Sequence, residues 1–245
     1  MDKDLNTAII TGASQGIGQA TAILFIERGW QVITCARSAS SDSSRLDKWL
    51  THIEVDLSTS DGVETFIEQA FEVIEDRPIH ALVNNAGVSP KSPNEERPGC
   101  LNGNIDEWRT VFELNLYAPL KLGRGFASAL TKANGTIVNV TSIAGHKIHP
   151  FAGSAYSSSK AALSALTREM ASEFSALNVR VNAVAPGEIL TEMIKPEYEV
   201  LIPRIPLNRM GMPKDAARAI YYLASAESEY VTGTEIWVTG GQHLF

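Results

Sequence analysis

Two periodicities alternate along the chain. Short apolar runs rich in β-branched residues occur at Thr7–Ile10, Gln31–Cys35, His52–Val55, Ala81–Val83, Thr136–Val140, Arg180–Ala185 and Glu235–Val238, and amphipathic segments with helical spacing separate most of them. Runs such as IVNV and VRVNAVA are apolar without alternation, the pattern of strands buried on both faces of a parallel sheet. Strand, helix and strand in succession require right-handed crossovers. The expected fold is α/β: a doubly wound parallel sheet of about seven strands flanked by helices. No repeat, low-complexity tract or linker divides the chain, so residues 1–245 are expected to form a single domain.

Two irregular stretches interrupt this rhythm. Ser89–Asn104, SPKSPNEERPGCLNGN, is rich in Pro, Gly and Asn and reads as a loop, either a surface excursion or a flap beside a pocket. Thr11–Gly18, TGASQGIG, sits between the apolar run AII and the helix-like run QATAILFIERG. One glycine would serve the turn. Three suggest that an anion approaches the backbone and the exposed N–H groups of a helix start, most plausibly the pyrophosphate of a dinucleotide, as in a Rossmann-type fold.

Composition narrows the partners. A formal net charge of −7 argues against a broad nucleic-acid or anionic-membrane footprint. The start MDKDLNTAII lacks the basic and long apolar regions of a signal peptide, and no run of about 18 apolar residues follows, so a cytoplasmic location is expected. Cys35 and Cys100 form no CxxC or Cys/His cluster, so neither a disulfide nor a metal site is expected.

The residues with chemical potential come later. Tyr156 and Lys160, in YSSSK, are four apart in a helical segment and share a face. A cation near a phenol favours phenolate, so Lys160 is expected to lower a pKa that is about 10 in free tyrosine and make Tyr156 a general acid or base. Ser142 ends the run TIVNV and offers a hydroxyl to an oxygen on which charge develops. The rival reading of a pocket serine is a hydrolase. His52, His80, His146, His149 and His243 keep a Ser/His pair open, with His146 and His149 close to the pocket in sequence, but Ser142 lacks a Gly-x-Ser-x-Gly elbow. A methyltransferase on the same layer fits neither the glycine spacing nor YSSSK.

TGASQGIG, NNAG at Asn84–Gly87, Asn115 in LNLYAP, Ser142 in VTSIAG, YSSSK and APG at Ala185–Gly187 together resemble the short-chain dehydrogenase/reductase family, from Thr7 to Gly241. The resemblance implies hydride transfer between a nicotinamide cofactor and a carbonyl or secondary alcohol, with Asn115, Ser142, Tyr156 and Lys160 as the catalytic set. Asn115 would hold a water that contacts Lys160.

It also implies a cofactor set: Gly12, Ser14, Gln15, Gly16, Ile17 and Gly18 around the phosphates, Asp56 with Leu57 near the adenine, and Asn85, Ala86 and Gly87 on the adenosine side. Pro186, Gly187, Ile189 and Thr191 would hold the nicotinamide, with Tyr156 and Lys160. After the second strand an NAD site usually carries an acidic residue; here Ala36 is followed by Arg37 and Ser38, a pattern suited to a 2′-phosphate. NADP(H) is therefore the expected cofactor, although many NADP-preferring members carry a basic residue where this loop has Gln15. The alternatives are an NAD(H)-dependent alcohol dehydrogenase of the same family and a non-catalytic redox sensor.

GEILTEMIKPEYEVLIP would be the substrate lid. The ending EIWVTGGQHLF resembles bacterial 3-oxoacyl-carrier-protein reductases and makes a 3-oxoacyl thioester a candidate substrate; the loop Ser89–Asn104, the lid and His146/His149 depart from those enzymes. The family resemblance further implies a homo-oligomer, a tetramer or dimer.

Overall fold

The chain is described here from a computed structural model covering residues 5–38, 50–75, 77–91, 97–193 and 196–244. Residues 92–96 of the loop Ser89–Asn104 and 194–195 of the expected lid lie outside the described residues. Strands β1 (Thr7–Thr11), β2 (Gln31–Ala36), β3 (Leu50–Glu54), β4 (Ala81–Asn84), β5 (Thr136–Val140), β6 (Arg180–Pro186) and β7 (Glu235–Val238) form one sheet in the order β3-β2-β1-β4-β5-β6-β7. Every neighbouring pair is parallel. The helices are α1 (Gly16–Glu27), α2 (Ser60–Ile74), α3 (Ile105–Phe112), α4 (Ala118–Gly125), α5 (Ala127–Lys132), α6 (Ser154–Phe174) and α7 (Pro213–Ala224).

The unbroken apolar strands are explained by burial on both faces. Ile9, Ile33, Leu82 and Ile137 enter one core with Phe66 of α2, Leu122 of α4 and Met170 of α6. Their strand neighbours Ala8, Ile10, Val32, Val83 and Val138 enter the other with Phe25 of α1 and Ile220 and Leu223 of α7. The helices follow the same logic. In α2 the buried residues Val63, Phe66, Ala70 and Ile74 recur at helical spacing; Thr59 caps it by accepting from Gly62 N at 3.0 Å, and Glu75 ends it at φ 50°. Two buried asparagines link the sheet to α6: Asn84 Nδ2 donates to Asn139 Oδ1 at 2.8 Å, and Asn139 Nδ2 to Thr167 Oγ1 at 2.9 Å.

All seven expected strands are present, with boundaries moved by their partners. Thr11, Asn84 and Pro186 are drawn into the ladder by pairing with Cys35, Asn139 and Val238. β3 starts two residues earlier than its apolar run because Leu50 and Thr51 pair with Val32 and Ile33. Strand order reverses where β1 lies between β2 and β4, and a crevice opens beyond the carboxyl ends of these strands. Among the described residues, no helix is long and apolar enough to cross a membrane, and no three His, Cys, Asp or Glu side chains gather as a metal site. Cys35 is a buried free thiol and Cys100 an exposed one.

Candidate active site

A cavity of about 410 Å³ occupies the crevice. One end is the glycine turn. Gly12 and Gly16 have φ of +65° and +59°, and a Cβ on Gly12 would stand 2.8 Å from Ala86 Cα, so only glycine lets β1 turn this close to the strand beside it. Gln15 precedes α1 without a side-chain cap and the first turn carries no acid, which leaves the first N–H groups of α1 facing the cavity. The Thr11 hydroxyl accepts from Asn85 N and Ala86 N at 3.0 Å each, and Asn85 Nδ2 donates to the carbonyls of Thr11 and Gly12, which locks NNAG to the turn. This cradle of glycine and uncapped N–H groups fits a pyrophosphate.

Ser14, Gln15, Gly16, Ile17, Arg37, Ser38, Asp56, Leu57, Asn85, Ala86, Gly87, Pro186, Gly187, Ile189 and Thr191 line the cavity with Gly12. Arg37 and Ser38 are exposed at the end of β2. Burial pushes the Asp56 carboxyl up, but bonds from Ser58 and the charge of Arg37 outweigh it and hold the group below its ordinary value. Asp56 does not cap α2, which Thr59 does; its Oδ1 accepts from Ser58 N at 2.9 Å.

Ser142, Tyr156 and Lys160 line the same cavity. Ser142 follows β5 in extended backbone and accepts from Ala144 N at 3.1 Å, which leaves its O–H free to donate. Lys160 is 3% exposed, donates to the Val140 carbonyl at 2.7 Å, and stands 5.8 Å from the Tyr156 ring centroid. Burial lowers the Lys160 ammonium to about 8. The Tyr156 phenol departs from expectation: burial raises it, a hydrogen bond with Ser142 lowers it, the Glu188 charge raises it, and the net direction is upward. Desolvation of the phenolate outweighs the nearby cation here.

Two expected site residues do not face the cavity. A Cβ on Gly18 would lie 2.3 Å from Gly12 O, so Gly18 permits the close packing of helix on turn behind the phosphate end. Asn115 is fully buried in a π-helical turn, Glu113–Tyr117, between α3 and α4. Its Oδ1 accepts from Val88 N at 2.9 Å, and its Nδ2 donates to Val88 O and Ser159 Oγ at 3.0 Å each. The side chain is thus occupied with protein partners and supports the floor below Gly87, where a Cβ would come within 3.2 Å of Asn115 Oδ1 and 3.3 Å of Lys160 Nζ.

His146 and His149 do not line the cavity. His146 Nε2 meets Glu235 Oε2 at 2.8 Å and Ser164 Oγ at 3.2 Å, and its ring packs on Trp237. The serine and the carboxylate use the same ring nitrogen, so no relay of a hydrolase triad exists there. The described part of Ser89–Asn104 braces the start of α6: Arg97 Nε donates to Ala152 O at 2.6 Å and Ser154 N to Pro98 O at 2.8 Å. The segment expected as a lid runs into a 3₁₀ segment, Pro196–Arg204, whose Tyr198 and Leu201 form a small core with Ile205 and Met210 that follow it.

Val88, Thr110, Leu114, Thr141 and Met193 also line the cavity and were not singled out from the sequence. Thr141 was within reach of motif reading because it precedes Ser142; the others lie on helix or loop faces that only the fold brings together.

A family model described as Enoyl-(Acyl carrier protein) reductase matches residues 12–243. Protein FixR of Bradyrhizobium diazoefficiens is 48% identical over 241 residues, covering 96% of this chain and 86% of that protein. The 3-oxoacyl-[acyl-carrier-protein] reductase FabG of Thermotoga maritima is 33% identical over 95% of this chain and 96% of that one. A short-chain dehydrogenase/reductase from Brucella ovis, solved in complex with a partially ordered NAD, shares 42% identity, covers 96% of this chain and 100% of its own, and superimposes with a TM-score of 0.78. Motifs, sheet order and relatives agree over nearly the whole length, and the chain belongs to the short-chain dehydrogenase/reductase family of oxidoreductases.

Proposed function

We propose that the protein is an NADP(H)-dependent oxidoreductase that interconverts a carbonyl and a secondary alcohol, with Tyr156 as the general acid and base. The observation that carries this reading is that Ser142, Tyr156 and Lys160 share one cavity with the uncapped start of α1 and with Arg37. The dinucleotide would lie along Gly12–Ile17, with Arg37 and Ser38 at the 2′-phosphate, Asp56 and Leu57 at the adenine, and Ile189 and Thr191 at the nicotinamide. When bound, it supplies or accepts the hydride.

In the reduction direction the Ser142 O–H donates to the carbonyl oxygen, and the Tyr156 hydroxyl transfers its proton to that oxygen as the carbon becomes tetrahedral. Lys160 then faces a phenolate and stabilises it by charge. The upward shift of the free phenol keeps Tyr156 protonated before the reaction. Asn115 acts behind this set by holding the backbone at Val88.

A 3-oxoacyl thioester is the first substrate to test, since a 3-oxoacyl-carrier-protein reductase and an acetoacetyl-CoA reductase stand among the relatives. A second reading is NAD(H) dependence, favoured by the NAD in the Brucella ovis relative. Assembly as a homotetramer or dimer belongs to the same proposal; the edge strand β7, whose four residues are all half-buried, is available for it.

The test is a panel of 3-oxoacyl and 2-enoyl thioesters, ketones and aldehydes, with oxidation of NADPH and NADH followed by absorbance. Turnover of a carbonyl compound, faster with NADPH, is expected. Tight nucleotide binding without turnover across the panel would favour the redox-sensor alternative, and faster turnover with NADH would overturn the cofactor assignment.

A further inference from the structure

We propose that Glu188 and His149 form a buried positioning pair that fixes the loop leading into α6 and presents a negative charge to the Tyr156 hydroxyl. This rests on the reading of Tyr156 as proton donor. Glu188 follows Pro186 and Gly187 at the exit of β6 and is 3% exposed. Its Oε1 receives His149 Nε2 at 2.6 Å and Gln242 Nε2 at 3.1 Å. His149 is 6% exposed, and its Nδ1 accepts from Phe151 N at 3.2 Å and Ala152 N at 3.1 Å. Those two bonds place the ring proton on Nε2, directed at the carboxylate.

Phe151 and Ala152 lead directly to Gly153, which caps α6, and Tyr156 stands in the first turn of that helix. One carboxylate therefore ties together the exit of β6, the C-terminal turn and the start of the helix that carries Tyr156. An ionisable pair is a costly way to make a contact that apolar packing makes as well, so its charge needs a role beyond holding the loop. Both of the hydrogen bonds to the Glu188 side chain fall on one carboxylate oxygen, Oε1.

The groups facing the pair and Tyr156 come from four elements. Tyr198 of the lid has its ring 5.9 Å from that of His149, and its hydroxyl receives Lys91 Nζ at 2.5 Å. Gln242 comes from the C-terminal turn, Ser142 from the exit of β5, and Lys160 from the next turn of α6. Of these, Lys160 stands 5.8 Å from the phenol ring centroid and favours the phenolate, whereas the charge of Glu188 disfavours it, so the two act on Tyr156 in opposite directions.

The test reads Tyr156 directly, without cofactor or substrate. The full chain is produced with 3-fluorotyrosine, the Tyr156 resonance is assigned by its loss in Tyr156→Phe, and its titration is followed by fluorine NMR. Glu188→Gln keeps an acceptor for His149 Nε2 and removes the charge; the Tyr156 midpoint is expected to move to lower pH by about half a unit or more, with the neutral-form resonance little displaced. His149→Ala, or His149→Gln where the alanine variant does not fold, is expected to displace or broaden the neutral-form resonance, because the loop loses its anchor. A midpoint in Glu188→Gln within about 0.2 units of the parent overturns the charge role, and an undisplaced resonance in the folded His149 variant overturns the positioning role. If neither His149 variant folds, the Glu188→Gln midpoint alone decides. Retained turnover in Tyr156→Phe would instead overturn the proton-donor reading, a separate failure with a separate readout.

Discussion

Lys160 stands 5.8 Å from the centre of the Tyr156 ring and spends a hydrogen bond on the Val140 carbonyl at 2.7 Å. On the proposed mechanism, this arrangement suits a charge that forms during the reaction and is absent at rest. In the free cleft the burial of the phenol dominates and keeps it protonated, while Lys160, lowered to about 8, remains mostly charged at neutral pH.

Removing the transferable proton while keeping the ring should abolish chemistry and spare binding. Tyr156→Phe is expected to lower kcat by roughly two to four orders of magnitude, with NADPH affinity changed little. Steady-state kinetics and fluorescence titration of NADPH check this. Retained turnover would sink the assignment of Tyr156.

Lys160 is an ammonium held in a dry site, and that has a stability consequence. Its folded pKa of about 8 lies below the ordinary 10.5, so the unfolded chain binds more protons between these values. The destabilisation is fully present below about pH 8 and fades as pH rises toward about 10.5. The shift corresponds to roughly 3 kcal/mol, part of which the Val140 hydrogen bond offsets. Lys160→Met should therefore be more stable than the parent by about 1–2 kcal/mol at pH 7, and inactive, with the gain shrinking above pH 8 in urea unfolding. A less stable variant at pH 7 would contradict this account.

Arg37→Ala tests the cofactor. Loss of a hydrogen bond to a charged group costs about 1.5–3 kcal/mol, which predicts a roughly ten- to 150-fold weaker Kd for NADPH. NADH, with no 2′-phosphate, should bind nearly as before, and adding Ala36→Asp should invert the preference. Equal weakening of both cofactors would show that Arg37 does not read the phosphate.

His80 gives the fold a sensitivity to acid. Burial lowers its pKa, and its Nδ1 accepts from Thr7 N at 3.1 Å, so the folded state requires the neutral ring at the start of β1. A histidine with a depressed folded pKa is protonated first in the unfolded chain, so stability falls as pH drops below about 6.5. His80→Gln should flatten that dependence in Tm measured from pH 7 to 5. An unchanged slope would assign the acid sensitivity to other groups.

The sheet was legible from local pattern because burial on both faces forces uninterrupted apolar strands, and α2 because its core residues recur at helical spacing. The glycine turn was legible for a related reason. A positive φ at Gly12 and Gly16 and the contact at Gly18 leave glycine as the fitting residue, so the spacing records the backbone geometry directly. Spacing on one helix likewise placed Tyr156 with Lys160, four residues being close to one turn. Local pattern could not decide what depends on distant partners. The upward shift of Tyr156 follows from the walls of the cleft, not from its helical neighbour. Asn115 turns inward because a π-helical turn rotates it toward Val88 and Ser159. Glu188 carried no signal of its own: it reads as an ordinary surface acid until β6, the loop before α6 and the C-terminal turn close around it, at separations of 39 residues to His149 and 54 to Gln242. Backbone requirements are written locally in the residues that meet them, whereas the environment of a side chain is set by elements remote in sequence, and only packing brings those together.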